Sequence, residues 1–373
     1  MSNPLPLLRH FRKLQDSRLE RGKLHSLPSI LVIAICAVLA GAEDFQQVAL
    51  FGRKRLDWLK RFLALPNGIP SHDTFERVFA RLDPQQFQKC FAAWMNAWHA
   101  KLTGEQLAID GKAVRGSARA SQGFRALHLV NVWATQANLC LGVVACEADS
   151  NEITAIPRLL ELLDLQGALV SLDAGGCQKA IAEQVVEQGG DYLLVVKKNQ
   201  EKLYQEIEAC FQRELEAAVA GEHGSYHEKE EQGHGRRESR VCVVLDNLEG
   251  IRERENWPRL AVIGLCYSER KVGEGEATTE IRYFIGSKKA KARYYARALR
   301  NHWRVENNCH WQLDVTFGED ASRVRERNAA ANLAVVRRLA LNLTKQEKTQ
   351  MSIAKKRFAA ALDTDYLEEI LNV

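Results

Sequence analysis

The chain has 373 residues, 46% hydrophobic and 27% charged, which excludes a disordered or low-complexity polymer and leaves room for about two well-buried domains. Its formal net charge is only +5, so affinity for polyanions has to come from clustered cations rather than from bulk charge. Nine cysteines with no C-x-x-C pair and an odd total fit neither a disulfide framework nor a Cys-based zinc site.

Residues 1–98 read as an all-helical N-terminal domain, because apolar residues recur at helical spacing and no strand-like run intervenes. The opening Met-Ser-Asn-Pro-Leu-Pro carries no secretory pattern, so a cytoplasmic protein is expected. The longest apolar stretch, Ile30 to Ala42, is too short for a bilayer and runs into Glu43 and Asp44; it predicts a buried core helix and no membrane association. Asp73, with Glu76 three positions on, reads as the N-cap of a helix whose apolar face is Phe75, Val78, Phe79 and Leu82. Asp83-Pro84 ends it and Gln86 begins another. Such a tight pair is either a helical hairpin or a helix-turn-helix that binds DNA ends.

From Leu102 the texture changes. Leu107 to Asp110, Leu127 to Ala134 and Leu141 to Glu147 predict three strands, followed by a helix (Ile153 to Leu163), a strand (Ala168 to Leu172), a helix (Gln178 to Gln188) and a strand (Asp191 to Val196). Three hairpin-connected strands followed by α-β-α-β is the order of an RNase H-like fold. The expected class is therefore α/β, with an RNase H-like core over 102–345 and a helical C-terminal tail over 346–373. An inserted β-subdomain at about 199–290 has a helix from Gln200 to Ala218, a polar stretch from Gly221 to Arg237 in which His223 and His227 are solvated, and strands near Ser239 to Leu245, Leu260 to Tyr267 and Glu280 to Ile285.

Three acids stand out. Asp110 ends the run Gln106-Leu-Ala-Ile-Asp110, Asp173 ends Ala168-Leu-Val-Ser-Leu-Asp173, and Glu306 lies in a segment free of Gly and Pro, Lys291 to Leu313. At 100° per residue, Tyr295, Leu299, His302, Glu306, His310 and Leu313 share one stripe, with Arg304 opposite, so a helix here turns Glu306 inward. A carboxylate so placed needs a positive partner: an arginine, a histidine such as His302, or a metal ion shared with Asp110 and Asp173. His302, Glu306 and His310 do not form H-E-x-x-H, and no phosphate-binding G-x-x-x-x-G-K-[ST] is present, so neither a zinc site nor ATP hydrolysis is expected. Trp303 and Trp311 read as packing residues. Basic runs at Arg53 to Arg55, Lys197-Lys198, Arg236-Arg237, Lys288-Lys289, Arg323 to Arg327 and Lys355 to Arg357 are either solvated faces or phosphate grips. Arg323 and Arg325 in particular either hold phosphate or pair with Glu319 and Asp320.

The strings Leu107-Ala-Ile-Asp-Gly-Lys-Ala-Val-Arg-Gly-Ser117, Ser150-Asn-Glu-Ile-Thr-Ala-Ile-Pro157, Leu172-Asp-Ala-Gly-Gly-Cys-Gln178, Gly233-His-Gly-Arg-Arg-Glu-Ser-Arg240 and His302-Trp-Arg-Val-Glu-Asn307 resemble those of bacterial insertion-sequence transposases of the ISAs family, the H-repeat-associated type. Phe51-Gly-Arg and Asn67-Gly-Ile-Pro-Ser-His-Asp-Thr-Phe75 resemble the helical region that precedes their catalytic domain, so the resemblance covers nearly the whole chain. It implies a DDE transposase with Asp110, Asp173 and Glu306 as the catalytic, metal-binding triad. Mg²⁺, with Mn²⁺ as the substitute, would serve cleavage at the terminal inverted repeats and strand transfer into target DNA, by a homodimer or larger assembly on double-stranded DNA, nucleoid-associated when bound. Lys112, Lys197, Lys198, His302, Arg304, Arg323 and Arg325 are the candidate DNA contacts. Where related transposases carry Tyr, Arg and Lys around the glutamate, this chain has Leu299, His302 and Leu313. A DNA-binding protein of transposase descent without catalysis, and a nuclease or resolvase on the same core, are the alternatives.

Overall fold

A computed structural model describes residues 8–11, 13–98, 104–118, 125–147, 150–218, 225–233, 235–273 and 275–372. The expected domain start at residue 102 and part of the polar stretch, His223 included, lie outside the described residues. Six helices come first: α1 (Leu8–Phe11), α2 (Leu27–Leu39), α3 (Phe45–Lys54), α4 (Leu56–Leu59), α5 (His72–Arg81) and α6 (Pro84–Trp98). Helix α2 is the expected core helix. It is capped by Ser26, whose hydroxyl accepts the Ser29 amide, has Pro28 in its first turn where a missing N–H does no harm, and is buried at every other position. Helix α5 is capped by Ser71, which accepts the Thr74 amide; Asp73 falls inside the first turn, two positions too late to cap. Among the described residues no helix is long and apolar enough to cross a membrane.

The central run is β1 (Gln106–Val114), β2 (Leu127–Ala134), β3 (Leu139–Ala145), α7 (Glu152–Leu160), β4 (Leu169–Leu172), α8 (Lys179–Glu187) and β5 (Asp191–Val196). Strands β1 to β3 form an antiparallel meander, β4 joins β1 in parallel and β5 joins β4 in parallel. The spatial order β3-β2-β1-β4-β5 is the expected RNase H-like core.

The insert comprises α9 (Glu201–Ala218), β6 (Ser225–Gly233), β7 (Arg236–Leu245), β8 (Val262–Val272) and β9 (Thr278–Gly286). Strand β9 pairs antiparallel with β5, so the insert prolongs the core sheet to nine strands instead of forming a sheet of its own. It also has one strand more than its apolar runs indicate. Strand β6 carries Ser-Tyr-His-Glu-Lys-Glu-Glu-Gln-Gly, which has no apolar alternation because this strand is the outer edge and its ladder with β7, not burial, holds it.

Helices α10 (Ala292–His302), α11 (Arg327–Gln346), α12 (Ile353–Leu362) and α13 (Thr364–Leu371) complete the chain. Alternation along β4 and β5 separates two layers. Val170, Leu172, Leu194 and Val196 pack with Ile156, Leu159, Ile181 and Val185 of α7 and α8, whereas Leu169, Leu193 and Val195 pack with Tyr295, Ala298 and Leu299 of α10. Helix α11 is buried on all sides from Ala329 to Thr344, between the N-terminal helices and the sheet. The N-terminal helices, the core and the C-terminal helices thereby share one hydrophobic core. The run Lys355 to Arg357 is not a free cationic face: Lys356 donates to the Thr344 carbonyl at 3.0 Å and Arg357 to that of Val38 at 2.9 Å, closing the C-terminal ends of α11 and α2.

Asn342 joins α11 to the open edge of β3: its Oδ1 accepts the Cys140 amide at 2.9 Å and its Nδ2 donates to the Cys140 carbonyl at 2.7 Å. Asn342→Ala leaves both backbone groups buried and unpaired, so urea unfolding should show a loss of about 2–4 kcal/mol. An unchanged midpoint would mean that this contact does not anchor the helix to the sheet.

Candidate active site

Strand register decides which side chains meet. Beside β4, β1 runs Gln106 opposite Leu169, Ala108 opposite Ser171 and Ile109 opposite Leu172, where the pairing stops. One step further stand Asp110 and Asp173, neighbours on the sheet face that receives α10. Strand β1 continues to Val114, paired with β2, so Asp110 lies in mid-strand and not at a strand end as its apolar run suggests. Asp110-Gly111 is extended ladder, not a turn. Asp173 does follow the last residue of β4, and its Oδ1 accepts the amides of Gly175 at 3.0 Å and Gly176 at 3.3 Å.

Gln106 clamps α10 onto this face by donating to the Ala298 carbonyl at 2.7 Å and to Ser171 Oγ at 3.0 Å; Ser171 in turn meets His302 Nδ1 at 3.1 Å. Beyond His302 the helix widens. The Trp311 amide bonds to the Glu306 carbonyl and that of Phe317 to the carbonyl of Gln312, both i→i+5, so residues 306–316 form two π-helical turns where periodicity predicts plain α-helix. Tyr295, Leu299, His302, His310 and Leu313 are buried as the stripe implies. Glu306 is not, since 63% of its side chain is exposed and it stands on the rim of a cleft. Its hydrogen-bond partner is His310, not His302: His310 Nδ1 lies 3.2 Å from Glu306 Oε2 and 3.6 Å from Asp110 Oδ2. One polar atom from each of Asp110, Glu306 and His310 falls within 4.8 Å of the others.

A fourth carboxylate escapes sequence reading. Glu152, the first residue of α7 after its cap Asn151, comes up from the opposite face and accepts from His128 Nε2 at 2.6 Å. A Cβ on Gly111 would sit 1.7 Å from Glu152 Oε1, so glycine is what lets this acid lie against β1. The signal was the short string Asn151-Glu152, an N-cap followed by an acid, which any helix start can carry. Burial, then the charges of Asp173 and Glu152, and to a smaller extent Glu306, hold the Asp110 carboxyl up at about 7.

The candidate DNA contacts divide. Lys112 is buried and bound to Asp314, with Glu319 Oε2 at 3.7 Å, and His302 is buried against Ser171 with burial holding its imidazole down at about 4. Neither can reach a phosphate, because charge pairing has consumed the one and packing the other. Leu299 and Leu313 are likewise buried. Lys197, Lys198, Arg304, Arg323 and Arg325 are exposed. Glu319 is taken by Arg338 and Asp320 by Arg115, which leaves Arg323 and Arg325 without an ionic partner among the described residues. Trp303 and Trp311 are half-exposed, and the Arg282 guanidinium lies over the Trp303 ring at 4.7 Å. Two clefts flank the acids. One, of about 550 Å³, runs from Glu306 and Trp303 along Arg240, Arg270, Arg282 and Arg300; the other, of about 420 Å³, is bordered by Arg125, His128, Glu152, Gly175 and Arg327.

A family model described as the transposase DDE domain matches residues 101–343, and one described as DDE_Tnp_1-associated matches residues 8–95. The chain belongs to the DDE transposase family. YncI of Escherichia coli O157:H7 is 40% identical over 98% of this chain and 94% of its own length, and YhhI of strain K12, an H repeat-associated protein, is 37% identical over 98% and 97%; their names assign both to the transposases. A piggyBac transposase synaptic complex with hairpin DNA overlaps 98% of this chain and 77% of that one at 10% identity, but a TM-score of 0.39 is too low to support any argument. Membership of a DDE family implies dependence on a divalent metal.

The raised pKa of Asp110 has a consequence for stability. The folded protein binds this proton more tightly than the unfolded chain, so the stabilising effect is full below about pH 4 and is lost as pH rises through about 7. Asp110→Asn should therefore stabilise the metal-free protein on the order of 2 kcal/mol at pH 8, with the gain vanishing towards pH 4. Thermal melts in EDTA across that range test it; a gain independent of pH would contradict it.

Proposed function

We propose that the chain is a DNA transposase in which Asp110, Asp173 and Glu306 hold divalent ions, Mg²⁺ or Mn²⁺, for cleavage at the ends of a mobile element and transfer of those ends into target DNA. The observation that carries this reading is the shared sheet face. Asp110 and Asp173 are adjacent one step beyond the β1–β4 pairing, and the Glu306 carboxylate is brought within 4.8 Å of Asp110 by the helix laid across that face. The donors are carboxylate oxygens with no thiolate among them, which suits a hard cation such as Mg²⁺. Ions bound there would assist a water, and then a DNA 3′-hydroxyl, in attacking phosphorus, and would stabilise the leaving oxygen.

The remaining chemistry belongs to the protein. Exposed Asp173 and Glu306 leave the site open to a polymer, as a duplex substrate requires. Lys197, Lys198, Arg304, Arg323 and Arg325 are positioned to neutralise backbone phosphates, which orients DNA without reading its sequence. The two clefts offer paths for strands on either side of the acids. Terminal inverted repeats and target then occupy an assembly of two or more copies on nucleoid DNA in the cytoplasm, with the N-terminal helices supporting end recognition.

Incubation with linear DNA carrying the element's ends should give Mg²⁺-dependent nicks and joined products, both reduced to background by Asp173→Ala or Glu306→Gln. Cleavage that survives Asp173→Ala would refute the catalytic assignment, and cleavage without joining would favour a nuclease. Arg323→Ala and Arg325→Ala should each lower the slope of log affinity against log salt by about 0.9. An unaltered slope would remove these two side chains from the DNA path.

A further inference from the structure

The buried row beside Asp110 contains groups that the proposed chemistry does not use. Arg338, Asn131 and Glu319 are each fully buried, and Asn131 lies directly opposite Asp110 on β2. Glu319 holds the Arg338 guanidinium through both carboxylate oxygens, and Arg338 also donates to the Ala334 carbonyl at 2.9 Å. From this fixed position Arg338 Nε donates to Asn131 Oδ1 at 2.7 Å.

That one bond orients everything beyond it. A guanidinium is a donor only, so the oxygen of Asn131 faces Arg338 and its NH₂ faces His310 Nε2, 3.4 Å away. An NH₂ also only donates. His310 Nε2 must therefore present its lone pair, and the single ring proton sits on Nδ1. Neither the other tautomer nor the imidazolium fits, because each would put an N–H against the Asn131 N–H. The Nδ1–H then points to Glu306 Oε2 at 3.2 Å, with Asp110 Oδ2 at 3.6 Å from the same nitrogen.

We infer that Arg338 and Asn131 are positioning residues that set the His310 tautomer, so that His310 acts as a hydrogen-bond donor aligning Glu306 with Asp110 and not as a third metal ligand. The proximity of His310 to the two acids invites the opposite reading, but ligation through Nδ1 needs a lone pair there and an N–H at Nε2. The relay reaches Glu306 through side chains that are fully buried, on a helix, a strand and a loop, and so fixes one acid relative to the other before any ion arrives. Its functional consequence rests on the assignment of Asp110 and Glu306 as metal-binding acids.

Multiple-bond ¹H–¹⁵N spectra of the full chain labelled at histidine, with the His310 signals assigned through His310→Asn, should show the proton on Nδ1, both without and with Mg²⁺. A proton on Nε2, or ring-nitrogen shifts on adding Mg²⁺ that report direct coordination, overturns the inference. Asn131→Asp keeps an acceptor for Arg338 but removes the donor facing Nε2. It should move a proton onto Nε2, raise the Mg²⁺ concentration needed for half-maximal DNA cleavage and lower cleavage roughly 10–100-fold, the usual effect of altering a partner behind a metal ligand. Wild-type cleavage at wild-type Mg²⁺ demand in a folded Asn131→Asp protein refutes the positioning role. If that variant does not fold, the wild-type spectrum still decides. A proton found on Nδ1 in a protein that cuts no DNA would uphold the relay while sinking the proposed function.

Discussion

Mutual repulsion among carboxylates is the constraint around which this molecule is organised. Asp110 feels Asp173, Glu152 and Glu306 at once, in a partly desolvated place. Two full charges about 5 Å apart repel by about 3 kcal/mol at an effective dielectric of 20, a sizeable part of an ordinary folding free energy. The fold meets this in two ways that need no ion. Asp110 retains a proton to about neutrality, and a set of charges lies alongside, with buried Lys112, Arg337, Arg338 and Glu319 and half-buried Asp314. Burial alone would raise the Glu319 carboxyl, yet the charge and hydrogen bonds of Arg338 outweigh it and lower the pKa. Within that network Lys112 and Arg338 are ion-paired, whereas Arg337 donates only to the Glu43 carbonyl and keeps an unpartnered Nε.

Strand pairing and one long helix supply the geometry. Strand β1 keeps its ladder with β2 for five residues after its ladder with β4 has ended, so one edge of Asp110 is fixed and the other is open. Helix α11 then ties the site to the N-terminal helices. Asn332 on it donates to the carbonyls of Phe79 and Leu82 at the end of α5, both at 2.8 Å, and Arg337 donates to that of Glu43, while Arg338, the next residue, feeds the relay to His310. A displacement of α5 or α2 is thereby carried by a buried helix to a residue three hydrogen bonds from Glu306.

The sequence discloses the core because apolar runs of four to eight residues are bounded by turns, and β2, β4, β5, α7 and α8 fall within a few residues of their periodic limits. Asp110 and Asp173 are legible for the same reason, as acids terminating apolar runs. What stays hidden depends on contacts between distant segments. The extent of β1 beyond Asp110 is set by β2, not by its own residues. Strand β6 has no apolar face to show, and the π-helical turns arise from how residues 306–316 settle on the sheet, which a fixed 100° period cannot represent. Glu152 and Asn131 are ordinary as sequence and acquire meaning only beside Gly111 and Arg338.

The cations show how little a basic run says by itself. Lys356 and Arg357 close helix ends, Arg237 pairs with Glu230, and Lys288 and Lys289 face Asp191 and Asp246. Lys197 and Lys198 are different: they follow β5, whose end lies next to that of β4, so they emerge on the side where Asp173 does, exposed and without an ionic partner among the described residues. Arg323 and Arg325 are unpaired for a traceable reason, since the two acids preceding them in sequence are already engaged by Arg338 and Arg115. An exposed pair is worth little to stability, whereas an unpaired cation beside a cleft keeps its full charge for a polyanion. The pairing pattern, and not the net charge of +5, is therefore what separates the proposed DNA contacts from cations that are already engaged.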